Sequence, residues 1–200
     1  MNLFDEYCID NILPKDGIVS YYPDIIENDE ADRYFDLLLK NICWKNDEVI
    51  VFGKYIVTPR KVAWYGDSNF LYTYSKIPKK ALIWTHELLE LKKIVEDITK
   101  TGFNSCLLNL YRNGDDSISW HSDDEKSLGK NGIIASLSFG AERKFLFKHK
   151  QTKQTVSIIL EHGSLLIMKE RTQDYWLHSL PKSRKITKSR INLTFRTIIL

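Results

Sequence analysis

Long apolar runs are missing from this 200-residue chain, and so is any patterned cysteine. No stretch approaches the ~20 apolar residues that a bilayer-spanning helix needs, and no cationic leader precedes an apolar run, so a soluble protein is expected. The three cysteines, Cys8, Cys43 and Cys106, are scattered without a Cys-x-x-Cys pair. That argues against a disulfide framework and for reduced thiols in the cytoplasm, or in the nucleus if the source is eukaryotic. Repeats and low-complexity segments are absent. A strong excess of one charge is lacking too. The 29 basic and 26 acidic residues leave a net charge of +3, so any surface for nucleic acid must be a local basic patch.

What is present is the material of an ordered globule: 43% hydrophobic and 12% aromatic residues, in a chain long enough to bury one core. Two segments carry helical periodicity. "ENDEADRYFDLLLKNI" sets Tyr34, Leu37, Leu38 and Ile42 on one face, with Asn28 or Asp29 as N-cap. "THELLELKKIVEDITKTG" sets Leu88, Leu91, Val95 and Ile98 on one stripe, with Thr85 as cap and Gly102 as stop. From Ser105 onward the chain changes to strand-length segments rich in β-branched and aromatic residues: "CLLNLYR", "GIIASLSFG", "RKFLFKH", "QTVSIILEHG", "SLLIMK" and "RINLTFRTIIL". The stretch before the second helix, dense in tyrosine and tryptophan, reads as hairpins. The fold expected is mainly β, a barrel or sandwich with helices packed on one outer face.

The chemistry gathers at "SWHSDDEKSLG". His121 and Asp123 are two residues apart, so on extended backbone both side chains point the same way. The stretch is either a surface turn that carries a histidine or half of a metal site. Four other histidines could complete it. His86 falls in the first turn of a helix and His149 in the Lys-flanked "FKHKQTK", both expected in solvent. His162 reads as a turn residue, and His178 in "DYWLHSLPK" sits on a short apolar segment. His121, Asp123 and His178 would form a two-His, one-carboxylate set, which leaves coordination positions open on Fe(II). In "SRINLTFRTII", Ile191, Leu193 and Phe195 alternate with Arg190, Asn192, Thr194 and Arg196. "CLLNLYRN" likewise puts Asn109 and Tyr111 on one side. Two such strands could line a polar interior for a small dicarboxylate, which the planar fork of arginine grips through two hydrogen bonds.

In order and spacing, "NLYRNGDDSISWHSDDEKSLG", "IIASLSFGAERKFLF", "HGSLLIM", "WLHSLPK" and "RINLTFR" resemble the catalytic half of the AlkB family of Fe(II)- and 2-oxoglutarate-dependent nucleic-acid demethylases. "VFGKYIVTPRKVAWYGD" and "YTYS" are similar to the nucleotide-recognition lid of the homologues that act on double-stranded DNA. The resemblance implies a double-stranded β-helix (jelly-roll) core over residues 105–200. It also implies a lid with a supporting helix over 49–104 and an N-terminal extension over 1–48, all in one compact unit. It implies Fe(II), 2-oxoglutarate and O2 as cofactors, with His121, Asp123 and His178 as iron ligands. Arg190, assisted by Tyr111, would pair with the distal carboxylate of 2-oxoglutarate, while Asn109 and Arg196, with Asn192 nearby, secure the chelating end.

The same resemblance assigns the lid. Phe52, with Gly53 at the hairpin tip, would fill the stack vacated when a damaged base is flipped from a duplex. Tyr74 would stack on that base opposite His121, with Tyr72 and Ser75 lining the pocket. Trp64 and Tyr65 are read as supporting residues. Asp124, with Glu125 as fallback, would accept a hydrogen bond from the exocyclic amine. Methylation at N1 of adenine or N3 of cytosine makes the base cationic, which favours a nearby carboxylate. Arg60, Lys61, Lys182, Arg184 and Lys185 are candidate phosphate contacts. The function implied is oxidative demethylation of N-alkylated DNA by a monomer, with release of formaldehyde. Double-stranded DNA is favoured, and single strands or RNA are the alternative. Further rivals are the same chemistry on a protein side chain, a barrel that binds without catalysis, and a divalent-metal hydrolase.

Overall fold

The structure, a computed structural model, describes residues 8–51, 54–68, 71–74, 77–129 and 131–199. The first half runs β1 (Ile18–Tyr22), α1 (Asn28–Asn41), β2 (Lys45–Val51), β3 (Lys54–Gly66), β4 (Leu71–Tyr74), β5 (Ile77–Lys80), β6 (Leu82–Ile83) and α2 (His86–Thr99). It continues with β7 (Ser105–Tyr111), β8 (Ile118–His121), β9 (Ile134–Gly140), β10 (Arg143–His149) and β11 (Thr155–Leu160). After these come β12 (Leu165–Lys169), a single turn α3 (Thr172–Tyr175), β13 (Trp176–Leu180) and β14 (Arg190–Arg196).

Both helices lie where periodicity places them, with different ends. α1 starts after Glu27, whose side chain makes no cap bond, so Asn28 and Asp29 belong to the first turn instead of capping it. Acidic Asp29 and Glu30 there still favour the positive end of the helix dipole. Thr85 caps α2 by accepting from the Leu88 amide. The stop, however, is Lys100, left-handed at φ 52°, two residues before Gly102.

The large sheet has the order β1-β12-β9-β14-β7-β3-β2, with β6 added parallel to β3. The small sheet has the order β11-β10-β13-β8, and β4 and β5 form a separate hairpin. One apolar core fills the outer face of the large sheet, where Tyr34 and Leu38 of α1 and Leu88, Leu91 and Val95 of α2 meet Ile191, Leu193 and Phe195. A second core lies between the sheets, joining Val19, Tyr111, Leu166 and Met168 to Phe145, Phe147, Trp176 and Leu180. This is the expected sandwich with helices on one side. The large sheet draws strands from all three sequence segments. β1 pairs with β12 and β3 with β7, so neither the N-terminal segment nor the lid region is merely packed on a finished core. Among the described residues no helix is long and apolar enough to cross a membrane.

Two loops at one end of the sandwich are locked together. The Gly114 amide donates to Ile186 O and Ser183 N donates to Gly114 O, each at 2.8 Å. A Cβ at 114 would lie 1.7 Å from the Ser183 carbonyl oxygen, closer than any side chain can come. Gly114→Ala is therefore expected to cost about 1–3 kcal/mol, read as a lower thermal midpoint. An unchanged midpoint would show that the loops are not clamped. Arg143, almost fully buried, braces the same corner by donating to the carbonyls of Asn113, Asp116 and Pro181. Burial pushes the Asp116 carboxyl up, but bonds from the Arg112 amide and guanidinium hold it below the ordinary carboxylate range.

Candidate active site

The inner face of the large sheet is polar where the two sheets face each other, and β14 shows why. Its alternation sends three apolar side chains to the helices and turns Arg190, Asn192, Thr194 and Arg196 into the cavity. Antiparallel pairing then sets Arg190 beside Tyr111 and Asn192 beside Asn109 on β7. On the other flank Asn192 pairs with Ser138 of β9. Asn192 donates to Ser136 Oγ at 2.8 Å, and Arg190 donates to Ser138 Oγ at 2.8 Å. Both serines went unremarked in the sequence. The signal was there: in "IASLSFG" they alternate with Ala135, Leu137 and Phe139, which face the other core.

Arg190 is the cation at the deep end. It is 2% exposed, its guanidinium lies 5.4 Å from the Tyr111 ring centroid, and its buried Nε has no hydrogen-bond partner. Burial draws its pKa down to about 10, so it is still cationic at neutral pH. A buried guanidinium with an unused N–H is costly unless an anion meets it. That orphan donor fits a carboxylate ligand.

At the other end three donors converge. His121 ends β8, Asp123 follows it, and His178 sits opposite His121 across the β8–β13 pairing. Their ligand atoms lie within 4.8 Å of one another, so the structure brings together the set that the spacing suggested. His121 Nδ1 lies 2.8 Å from Ser119 O. That carbonyl can only accept, so Nδ1 carries the proton and Nε2 offers its lone pair. His178, 4% exposed, is stacked on Phe145. Burial first, then the neighbouring His121, press it down to about 3, which keeps the imidazole neutral. Asp123 is raised by burial but held below the ordinary range overall, chiefly by Arg196. Arg196 donates to its Oδ2 at 2.7 Å, and Gln173 accepts from its backbone amide at 2.9 Å. Two imidazoles and one carboxylate are the donor set that a divalent first-row metal takes.

Other expected residues fall elsewhere. Arg60 is no surface contact: it is buried, ion-paired with Asp47, and forms part of the cavity wall with it. Lys61 is half-buried, whereas Lys182, Arg184 and Lys185 are exposed on the loop clamped to Gly114. Asp124 does not reach the cavity. Its side chain is 66% exposed, takes a bond from Ser122 and lies 3.9 Å from Lys150. Glu125 is half-buried, with an oxygen that is shielded and without a partner. Both border a second depression on the far side of Asp123. Tyr72 and Tyr74 lie on β4, while Phe52, Gly53 and Ser75 lie outside the described residues. Trp64 lines the cavity and donates to Ser105 Oγ, whereas Tyr65 belongs to the helix-side core. His86 is exposed as expected, but His149 is buried. Its Nε2 meets Asp16, and its Nδ1 accepts from the amides of Gln151 and Thr152.

Residues 18–196 match the 2OG-Fe(II) oxygenase superfamily, and the chain belongs to it, within the AlkB family. Its cofactors are Fe(II), 2-oxoglutarate and O2. Among relatives, the Bos taurus alpha-ketoglutarate-dependent dioxygenase alkB homolog 3 is 44% identical over 186 residues, covering 88% of this chain and 64% of that protein. The Homo sapiens DNA oxidative demethylase ALKBH2 is 38% identical over 196 residues, covering 92% of this chain and 75% of that protein. The chain thus spans about two thirds of the length of the alkB homolog 3 relatives it matches. A solved structure of OsALKBH1 superposes with a TM-score of 0.63 at 16% identity, over 90% of this chain and 96% of that one. That likeness establishes the fold.

Proposed function

We propose that this chain removes alkyl groups oxidatively from the nitrogens of nucleic-acid bases, of the 1-methyladenine and 3-methylcytosine kind, in DNA. The observation that carries the reading is one cavity with a three-donor metal set at one end and an under-bonded guanidinium at the other. When bound, Fe(II) with 2-oxoglutarate and O2 supplies the oxidation that hydroxylates the N-methyl group, whose hydroxymethyl product is lost as formaldehyde. The names of the relatives, as DNA oxidative demethylase and dioxygenase, support this class of substrate.

The protein's own share is positioning. His121, Asp123 and His178 hold the metal. Arg196 and Gln173 fix Asp123 by a guanidinium bond and a backbone bond, which is how outer partners orient a ligand. In that role Arg196 serves the metal end through Asp123. Arg190 takes the distal carboxylate of the co-substrate beside Tyr111, and Asn109 and Asn192 line the path between. Neither Asp124 nor Glu125 lines the cavity, so neither is assigned to the exocyclic amine of the base. Tyr74, with Tyr72 and Ser75, stacks on and lines the flipped base. Phe52 wedges the duplex, which favours double-stranded DNA over single strands or RNA. Lys61, Lys182, Arg184 and Lys185 hold phosphates.

The test is a coupled assay on DNA carrying 1-methyladenine, with Fe(II), 2-oxoglutarate and ascorbate. One succinate per unmodified adenine restored is the expected result. Succinate formed at the same rate with and without methylated DNA, and no base restored, would exclude the substrate class while leaving the oxygenase intact.

A further inference from the structure

β8 is the edge of the small sheet and has two unlike faces. Its inner face carries His121 toward the metal set. One residue earlier, on the outer face, stands Trp120, a large aromatic 37% exposed. The Lys148 ammonium lies 4.2 Å from the centre of its ring. Lys148 belongs to β10, and the β10–β11 hairpin is unusual in charge. Residues 143–160 include Lys144, Lys148, Lys150 and Lys153 but no carboxylate. Glu142 and Glu161 flank the run, yet they sit at the hairpin's base, where Arg143 pairs with Leu160, far from the turn. Of the lysines near the turn, Lys150 donates to Gln173 O and lies 3.9 Å from Asp124, and Lys153 donates to Lys150 O. A surface needed only for solubility has no use for an exposed indole beside a hairpin whose own sequence is rich in lysine and free of carboxylates.

An aromatic face interleaved with cations is the chemistry that holds unpaired nucleic acid, since every base has a face to stack and every nucleotide a phosphate. We infer that Trp120 and Lys148 form a stacking platform for the single-stranded DNA next to the nucleotide whose base enters at His121. The ring stacks a neighbouring base, and the ammonium, already lodged against the indole, takes the adjoining phosphate. The edge position of β8 lets a strand pass from the inner face to the outer one without crossing a paired strand. This inference rests on the nucleic-acid reading above in its single-stranded form, the alternative to the duplex preference, and adds a contact to it.

The experiment is binding alone, with no cofactor, so that it stands apart from turnover. The Kd of a dye-labelled, unmodified single-stranded oligodeoxynucleotide is measured by anisotropy across a salt series. Trp120→Ala is expected to weaken binding about tenfold, within the range that one stacked base contributes, whereas Trp120→Phe keeps most of it. Lys148→Gln is expected to lower the slope of log K against log salt by ~0.7, the single-strand value for one phosphate contact. Wild-type affinity in Trp120→Ala together with an unchanged slope in Lys148→Gln would overturn the platform, as would a wild type that binds no single strand. Equal loss with a blunt duplex would overturn the assignment to an unpaired strand. A wild type that demethylates nothing but keeps the Trp120 dependence would remove the demethylase reading and leave the platform standing.

Discussion

Replacing Arg190 with methionine is expected to raise the half-saturating concentration of 2-oxoglutarate by at least about 30-fold while leaving the fold as stable as before or more so. The two outcomes separate because the residue holds a charge that its own surroundings do not satisfy. In the chain alone, the buried guanidinium has Ser138 for one N–H, the Tyr111 ring at 5.4 Å and no partner for Nε. The fold carries that desolvation cost for a ligand. Exchanging such a charge for an apolar side chain of similar size is commonly neutral or stabilising by ~1–4 kcal/mol, less about 1 kcal/mol for the donor that Ser138 loses. With the dicarboxylate in place the balance reverses, because a planar fork meets a carboxylate through two charge-assisted bonds. Arg190→Lys keeps the charge without the fork and should fall between the two. Saturation curves for succinate formation and thermal midpoints of the same preparations decide it. Weaker 2-oxoglutarate binding that only accompanies a collapse in stability would make Arg190 a structural residue.

That site was legible on β14 because alternation is local. Once Ile191, Leu193 and Phe195 are given to the core, the pleat alone sends Arg190, Asn192 and Arg196 the other way. The helix stripes and the serines of "IASLSFG" follow the same logic. The metal set was half legible: two residues at spacing two on one strand are a local pattern, whereas His178 stood out only as the histidine on a short apolar segment until the family resemblance implied it as a ligand. Pairing between β8 and β13 makes it their neighbour, and sequence alone does not print that register.

The misplaced residues are those whose surroundings come from far along the chain. Arg60 sits in "TPRKV", which reads as a basic surface turn, but the bulge between Asn46 and Glu48 brings Asp47 against it inside the cavity wall. His149 has lysines on both sides and still is buried, because Asp16, 133 residues earlier, comes to its Nε2. Asp124 and Glu125 are adjacent, so composition treats them as equals. The turn that leads into Lys126–Leu128 exposes one and half-buries the other. Thr85 caps α2 as its sequence suggests, but the stop of that helix differs: Lys100 takes the left-handed position two residues before Gly102.

His178→Ala should abolish turnover and, separately, flatten the acid sensitivity of the metal-free chain. For turnover, loss even of an outer partner of a metal ligand costs about 10–100-fold, so removing one of three donors should cost more than that. Activity is expected below detection, and Mn(II), added as a redox-silent stand-in, should no longer raise the thermal midpoint. The acid effect follows from burial. An unfolded chain takes up a proton at this histidine near its ordinary 6.5, whereas the folded chain resists until about 3. Between those values the unfolded state binds more protons, so stability rises with pH and is lost as pH falls from 6.5 toward 3. From pH 7.5 to 4.5 the loss carried by this one imidazole is about 3 kcal/mol. Asp123 also loses stability toward acid, but its low range lies beneath that window. Urea midpoints of the metal-free protein at the two pH values should therefore lie closer together in His178→Ala than in the wild type, even though the truncation lowers both. If the two proteins lose the same stability on acidification, the imidazole is not held neutral between Phe145 and the His121–Asp123 pair, and the three-donor site is wrongly drawn.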